Sequence, residues 1–369
     1  VTLLTLPSTR EEAWRWSDLS TLPALTEARA RPENFPADIP WLDDADGPRL
    51  LFVDGKLVAD RSSLGPVTIG DIDRGPIDHP LAAQIGRTGW TLKLGRDHAA
   101  GLVQIVHVAT GASDHLPASV ELGEDAQASI VETFLGAGWA NRLSRFRLAR
   151  GARLMLARRL LGESGFVSLT DRAELGEGSS FTLTTLAAGG TDTRLDGEIR
   201  MEGDGAFAEA GGALLARGRQ RHDANLVIAH KALSGMSRQV WRSVADDRAT
   251  CSVAARVEVA RGAQKTDGEQ SLKGLLLART ATINAKPELE IFADDVKCAH
   301  GATVGELDRN ALFYLASRGV PGAEAKALLT QAFVADAIDR IGEEAVRTAF
   351  HTDAMRWLSK SSLAPAGTA

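Results

Sequence analysis

The chain has 369 residues, is 44% hydrophobic and 24% charged, and carries a net charge of −6 from 48 acidic and 42 basic side chains. That length allows two or three domains, or one large repetitive domain with small flanks, and the missing basic excess argues against nucleic-acid binding. Charges of both signs are interspersed, so there is no polybasic membrane anchor, and no apolar run approaches the roughly 18 residues of a membrane helix. The start, VTLLTLPSTREEAW, lacks the basic and apolar segments of a signal peptide, so the expected location is cytoplasmic, away from membranes. Two cysteines, Cys251 and Cys298, make no disulfide framework. Nor can they complete the roughly four-ligand set of a structural zinc or an iron–sulfur cluster without histidines or a second chain.

Residues 8–25 read as a helical segment, with Ser8 and Glu11, or Thr9 and Glu12, in the S/T-x-x-E capping pattern. Trp14 and Trp16 are too close in sequence to share one helix face, and packing of a small N-terminal domain is their ordinary reading. Residues 31–48 carry four prolines and many acidic residues, which makes 1–48 a helical region followed by a connector.

From about residue 50 short apolar runs alternate with Gly, Asp and Glu. A pattern of apolar, any, apolar, three turn-like residues and a small residue starts at Val120, Phe146, Ala173, Ile199, Leu226, Val257 and Ile283, with Leu92 as an earlier member. The steps are close to 26 residues. A unit that short cannot bury a core alone, but stacked units bury a continuous one. Side-chain alternation puts the two apolar positions on one face of a strand, and the turn-like residues let the chain change direction. The expected fold is mainly β: a parallel β-helix (β-solenoid) over 49–302, right-handed as parallel crossovers favour. A β-sandwich would give no reason for a constant step.

The remainder reads as helical. Leu307, Ala311, Leu312 and Leu315 have helical spacing, Gly319 suits a C-cap and Pro321 a first turn. Leu328, Ala332, Ala335 and Ile338 form an expected stripe on a second helix, and Val346, Phe350 and Trp357 mark a third. This predicts a C-terminal helical domain over 303–361 and a disordered tail over 362–369.

Motifs with chemical potential are few. Gly203-Asp204-Gly205 with Ala208 loosely matches a dinucleotide fingerprint but falls on a solenoid turn, and Gly262 to Thr266 lacks the glycine spacing of a phosphate loop. The chain is therefore expected to bind no nucleotide and to have no catalytic motif. Asp294 and Asp295 are strand neighbours that would point to opposite faces, so a turn role outweighs a carboxylate pair. His230 lies inside a repeat, where a structural role is the default. Cys298 and His300, separated by one residue on an extended segment, share a face and could converge on one metal; a buried inert cysteine is the competing reading. Both lie on the last of about seven coils, where an uncovered end must be capped or paired.

Residues 230–320, from HKALSGMSRQVWRSV to LFYLASRGV, resemble the SufB/SufD family of iron–sulfur cluster assembly scaffolds. Within them DDVKCAHGATVG resembles the SufD branch, the EHEA-type sequence usual in the SufB branch is absent, and EEAWRWSDL is similar to SufD N-termini. Val253-Ala254-Ala255 departs from the family's usual Phe-Asn-Gly, and GEQSLKGLLL lacks a frequent asparagine.

The resemblance implies a non-enzymatic subunit of a cytoplasmic complex with SufB and two copies of the ATPase SufC. Its solenoid would pair with SufB, and its C-terminal helices would dock SufC. The family's interface histidine matches His300 and its neighbouring cysteine matches Cys298. The implied cofactor is a transient iron–sulfur cluster shared with the partner, with His300, and Cys298 less firmly, as metal ligands. Cys251 has no family counterpart and is treated as structural. The competing expectations are a β-solenoid carbohydrate-active enzyme, or a metal-free adaptor that forms a homodimer in isolation.

Overall fold

The computed structural model describes residues 6–43 and 45–360, so the expected tail at 362–369 lies outside the described residues. Among the described residues seventeen strands follow in chain order. The first six are β1 (Arg49–Val53), β2 (Lys56–Leu57), β3 (Val67–Asp71), β4 (Thr88–Leu94), β5 (Ala99–Leu122) and β6 (Gln127–Leu148). Then come β7 (Arg153–Leu160), β8 (Phe166–Leu175), β9 (Ser180–Ala187), β10 (Asp192–Met201), β11 (Phe207–Ala216) and β12 (Arg221–His230). The last five are β13 (Met236–Ala245), β14 (Thr250–Val259), β15 (Asp267–Leu276), β16 (Thr282–Ile291) and β17 (Lys297–Glu306). They form a β-solenoid of about 8 turns, with the helices mostly C-terminal.

The coils build two parallel stacks. One runs from β4 through the second halves of β5 and β6 to β8, β10, β12, β14 and β16. The other runs from β1 through the first halves of β5 and β6 to β7, β9, β11, β13, β15 and β17. Their inward side chains, Leu92, Val120, Phe146, Phe181, Ile199, Trp241 and Leu272 among them, form one continuous core.

The repeat holds in register from Leu92 through Val120, Phe146 and Ala173 to Ile199. Beyond that the expected members slip. Ile199 pairs with Ile228 rather than Leu226, and Val257 pairs with Leu289 rather than Ile283. Both slips are even, so every apolar residue keeps its face and a pattern of polarity cannot detect the error. The later coils are longer because the strand between them grows from 8 residues in β9 to 10 in β11. A turn over residues 260–266 adds more.

The N-terminal segment is less helical than expected. It forms a 3-10 turn at Glu12–Trp14 and a short helix α1 (Leu22–Glu27). Between them the Asp18 carboxylate accepts from the Ser20 N–H and bends the chain, although Glu11 does accept from the Ser8 N–H at 2.9 Å, half of the capping box. There is no separate N-terminal core: Trp14, Leu19 and Leu22 pack on Leu81, Trp139 and Phe166 of the solenoid side. Arg194 lies 4.4 Å over the Trp14 ring and donates to the Ala13 carbonyl and the Ser17 hydroxyl, while Ser17 donates to Asp223. The segment is thus a strap across the outer face of the β10–β12 stack.

Strand β17 continues to Glu306, past the expected boundary at 302, because pairing with β15 persists to Leu276↔Glu306. Three helices follow: α2 (Arg309–Ser317), α3 (Gly322–Ile338) and α4 (Glu344–Ser359). The stripe on α3 agrees with expectation at Ile338 and differs at Leu328 and Ala332. Thr330, Val334, Ala337 and Ile338 are buried, whereas Leu328 and Ala332 are exposed. A helix apolar on most sides does not reveal by spacing alone which side will be covered. On α4 the expected Val346, Phe350 and Trp357 are buried. These residues pack on Val131, Ala157, Leu186, Ala213, Leu215 and Val244, the outward side chains of the second stack.

Arg159 of β7 and Asp353 of α4 pair at 2.6 Å with both side chains buried at this junction. Asp353→Ala is expected to cost about 3–5 kcal/mol in urea unfolding by stranding the guanidinium. Arg340→Ala, which removes a partly exposed pair with Glu209, is expected to cost about 1 kcal/mol or less.

Candidate functional site

Strand β17, KCAHGATVGE, ends the solenoid, and among the described residues it pairs with β15 alone. The glycines of β15 show which way its side chains point. A Cβ on Gly268 would lie 3.4 Å from Cys298 Sγ and from Val257 Cγ1, and one on Gly274 would lie 3.2 Å from Val304 Cγ2. Residues 298, 300, 302 and 304 therefore face inward, toward β14 and β16. Cys298 and His300 share a face as their spacing implies, and Lys297 is exposed on the other.

No further coil among the described residues covers that face. His300 is exposed, whereas Cys298 is half-buried against Val257, Val259 and Ala293. Burial pushes the Cys298 thiol above its ordinary value, the Asp267 charge adds to this, and a backbone hydrogen bond with Gly268 opposes it. Near neutral pH the group is a thiol, and a metal binding there would displace its proton. Thiolate sulfur and imidazole nitrogen are both donors that suit iron. Among the described residues no three His, Cys, Asp or Glu side chains converge into a group that could hold a metal ion.

The other sequence candidates fall elsewhere. Cys251 is fully buried in the core with its sulfur 3.6 Å from the Leu214 and Val244 carbonyls, and burial pushes its thiol far up. Asp294 and Asp295 lie in the exposed bend between β16 and β17, where the Asp295 N–H donates to Gln264 Oε1. Gly203 sits in the turn between β10 and β11, where a Cβ would meet the Glu177 backbone nitrogen at 2.0 Å; a strand follows, not the helix a dinucleotide site requires. His230 is buried with Nε2 2.8 Å from Ser237 Oγ, and burial lowers its pKa to about 4, so it is a neutral core residue.

Sequence reasoning missed Gln239 and Gln270, which are buried and inward-facing on β13 and β15. In the strand register they lead directly to His300. Their signal was available: a glutamine at an inward position of a repeat whose other inward positions are apolar or small.

These features define a two-stack parallel β-solenoid that presents a thiol and an imidazole on its uncovered end strand. The family model for the SUF system FeS cluster assembly SufBD core domain matches residues 106–333, well over half the chain. The chain belongs to this SufBD family of iron–sulfur cluster assembly proteins, on its SufD branch.

It is 26% identical to the iron-sulfur cluster assembly protein SufD of Escherichia coli (strain K12), over 93% of this chain and 87% of the relative. It is also 26% identical to an iron-sulfur cluster assembly SufBD family protein of Synechocystis, over 92% of this chain and 84% of the relative. SufD of Bacillus subtilis is 30% identical over 42% of this chain. The relatives include a chloroplastic protein of Arabidopsis thaliana. No helix among the described residues is long and apolar enough to cross a membrane.

The thiols give a direct check. Iodoacetamide should modify Cys298 more slowly than a free thiol at pH 8, with the rate rising close to tenfold per pH unit while the thiol remains mostly protonated. Cys251 should react only after denaturation, as read by mass spectrometry of the digested protein.

Proposed function

We propose that this chain is a scaffold subunit of an iron–sulfur assembly complex and supplies His300, with Cys298 beside it, to a site completed by a SufB-like partner. The observation that carries the reading is the position of these two donors: on one inward face, with His300 exposed and Cys298 half-buried, on a strand whose second edge is unpaired among the described residues. Two ligands from this chain leave the remaining positions of a cluster to other molecules. The cluster is cargo, built and passed on. The resting thiol of Cys298 suits a site that takes up metal only when a partner or incoming iron displaces the proton.

The end strands offer the pairing surface. β16 pairs only with β14 and β17 only with β15 among the described residues, so each presents free backbone donors and acceptors to an incoming strand. Phe292, 65% exposed after β16, adds apolar area beside that edge. Pro287 on β16 removes one donor, a residue tolerated in sheets on edge strands. A SufB-like solenoid docked here would meet His300 and Cys298 directly.

A second surface lies on the helices. α2 buries none of its residues, and Phe313 and Tyr314 are 76% and 57% exposed. We assign this surface, within the helical region that follows β17, to a SufC-like ATPase. That subunit would supply the nucleotide chemistry for which this chain has no motif.

Replacing His300 by Ala should leave the protein folded and the complex assembled, yet abolish cluster formation in cells that depend on it; normal cluster formation by this variant would remove His300 from the site. Phe313→Glu combined with Tyr314→Glu should lower co-purification of the ATPase subunit at least tenfold while SufB-like pairing persists, and undiminished recovery would place the ATPase elsewhere.

A further inference from the structure

We propose that Gln270 is a positioning residue for His300. In this scheme a directed chain of side-chain amides through the last three coils decides which nitrogen of the His300 ring is left bare. The inference rests on the reading of His300 as a ligand and adds the device that prepares it.

Gln239, Gln270 and His300 occupy consecutive rungs of the β13–β15–β17 stack, all on the inward face. Gln239 is fully buried and Gln270 is 1% exposed. Gln239 Nε2 donates to the Arg256 backbone carbonyl at 2.9 Å. A carbonyl can only accept, so this bond fixes the orientation of the Gln239 amide and leaves its Oε1 free. That oxygen has no partner among the described residues, and neither Oε1 nor Nε2 of Gln270 has one.

Three unpaired amide atoms on two adjacent buried rungs are an arrangement that folded proteins avoid. In-register neighbours stand about 4.8 Å apart, within reach of a glutamine side chain. Gln239 Oε1 needs a donor, and the next side chain in register on that face is Gln270, which can supply only its Nε2. That choice turns Gln270 Oε1 toward β17, where the next in-register side chain is His300.

An amide oxygen accepts and never donates. The ring nitrogen that meets Gln270 Oε1 must therefore carry the proton, and the opposite nitrogen keeps its lone pair. A histidine ligand needs this state, with one N–H held by an oxygen behind it and the other nitrogen bare toward the metal. The proposed chain is polarised in one direction, from the exposed ring to the Arg256 carbonyl, whose bond to Gln239 Nε2 is the link formed in this structure. Leucine at position 270 would fill the core as Leu272 does, without unpaired polar atoms; the buried amide is explained by what it does to His300.

The test reads the ring itself. In protein labelled with 15N-histidine, with His300 signals identified by their loss in His300→Ala, the native chain should show two well-separated ring-nitrogen shifts of one neutral tautomer. Gln270→Leu should move the two shifts toward each other, and Gln270→Asn, which keeps both the donor and the acceptor of the amide, should retain more of the separation than the leucine variant. Cluster formation should follow the same order, falling about 10–100-fold in the leucine variant and less in the asparagine variant.

If the leucine variant is unfolded by circular dichroism, Gln239→Leu replaces it. Freeing the Gln270 amide to rotate should then partly average the two shifts. Unchanged His300 shifts in a folded Gln270→Leu or Gln239→Leu protein overturn the proposal, whatever the cluster assay shows. Shifts that move as expected while His300→Ala still forms clusters would uphold the amide chain and overturn the ligand assignment instead.

Discussion

The structure depends on one constraint, that the backbone N–H and C=O groups of each coil be satisfied by the coils on either side of it. Parallel in-register pairing does this through the middle of the solenoid, from Asp192↔Phe166 to Asp267↔Met236 and beyond. The two ends cannot be treated in the same way. At the N-terminal end the chain turns back on itself, and β2 pairs antiparallel with β1 and β3 antiparallel with β4. At the other end, among the described residues, β16 pairs only with β14 and β17 only with β15. The asymmetry decides where chemistry can sit, since an inward-facing residue is reachable only where no next coil covers it. His300 faces the same interior as Gln239 and Gln270, yet it is exposed while they are buried.

The flanking segments reinforce this arrangement. The strap around Trp14 covers the outer face of one stack, and α3 and α4 cover that of the other. Inside, Arg158 of β7 binds Glu132 one coil earlier and Asp171 on the opposing stack, which ties two coils and both stacks through one guanidinium. Against the penalty of burial, the Arg158 charge and the hydrogen bond with His107 hold Glu132 at about 2. Such buried pairs roughly break even against an apolar core in stability. Their geometry here fixes how the coils align, because a slipped register would strand the charges even where apolar residues would tolerate it.

The candidate site was partly legible in advance. Cys298 and His300 could be paired from a period of two, and their place on the last coil followed from counting the repeat. The burial of Cys298 could not, since it depends on Val257 and Val259 from a strand some forty residues earlier folding over it. The glutamines were overlooked for a related reason. Each is unremarkable in its own strand, and only the register lines them up beneath His300.

The sequence by itself determined the architecture: the length of the early coils, the alternation of faces and the change to helices all follow from local polarity and turn residues, which act over a few neighbours. It did not determine the register of the later coils, because steps of two and of six leave every face unchanged. It did not determine which side of α3 is buried, because that helix is apolar on several. Those choices were made by tertiary contacts, in which backbone ladders, turn lengths and buried charges from distant parts of the chain must be satisfied together. The joining of Gln239, Gln270 and His300 into one line is a product of that collective fit.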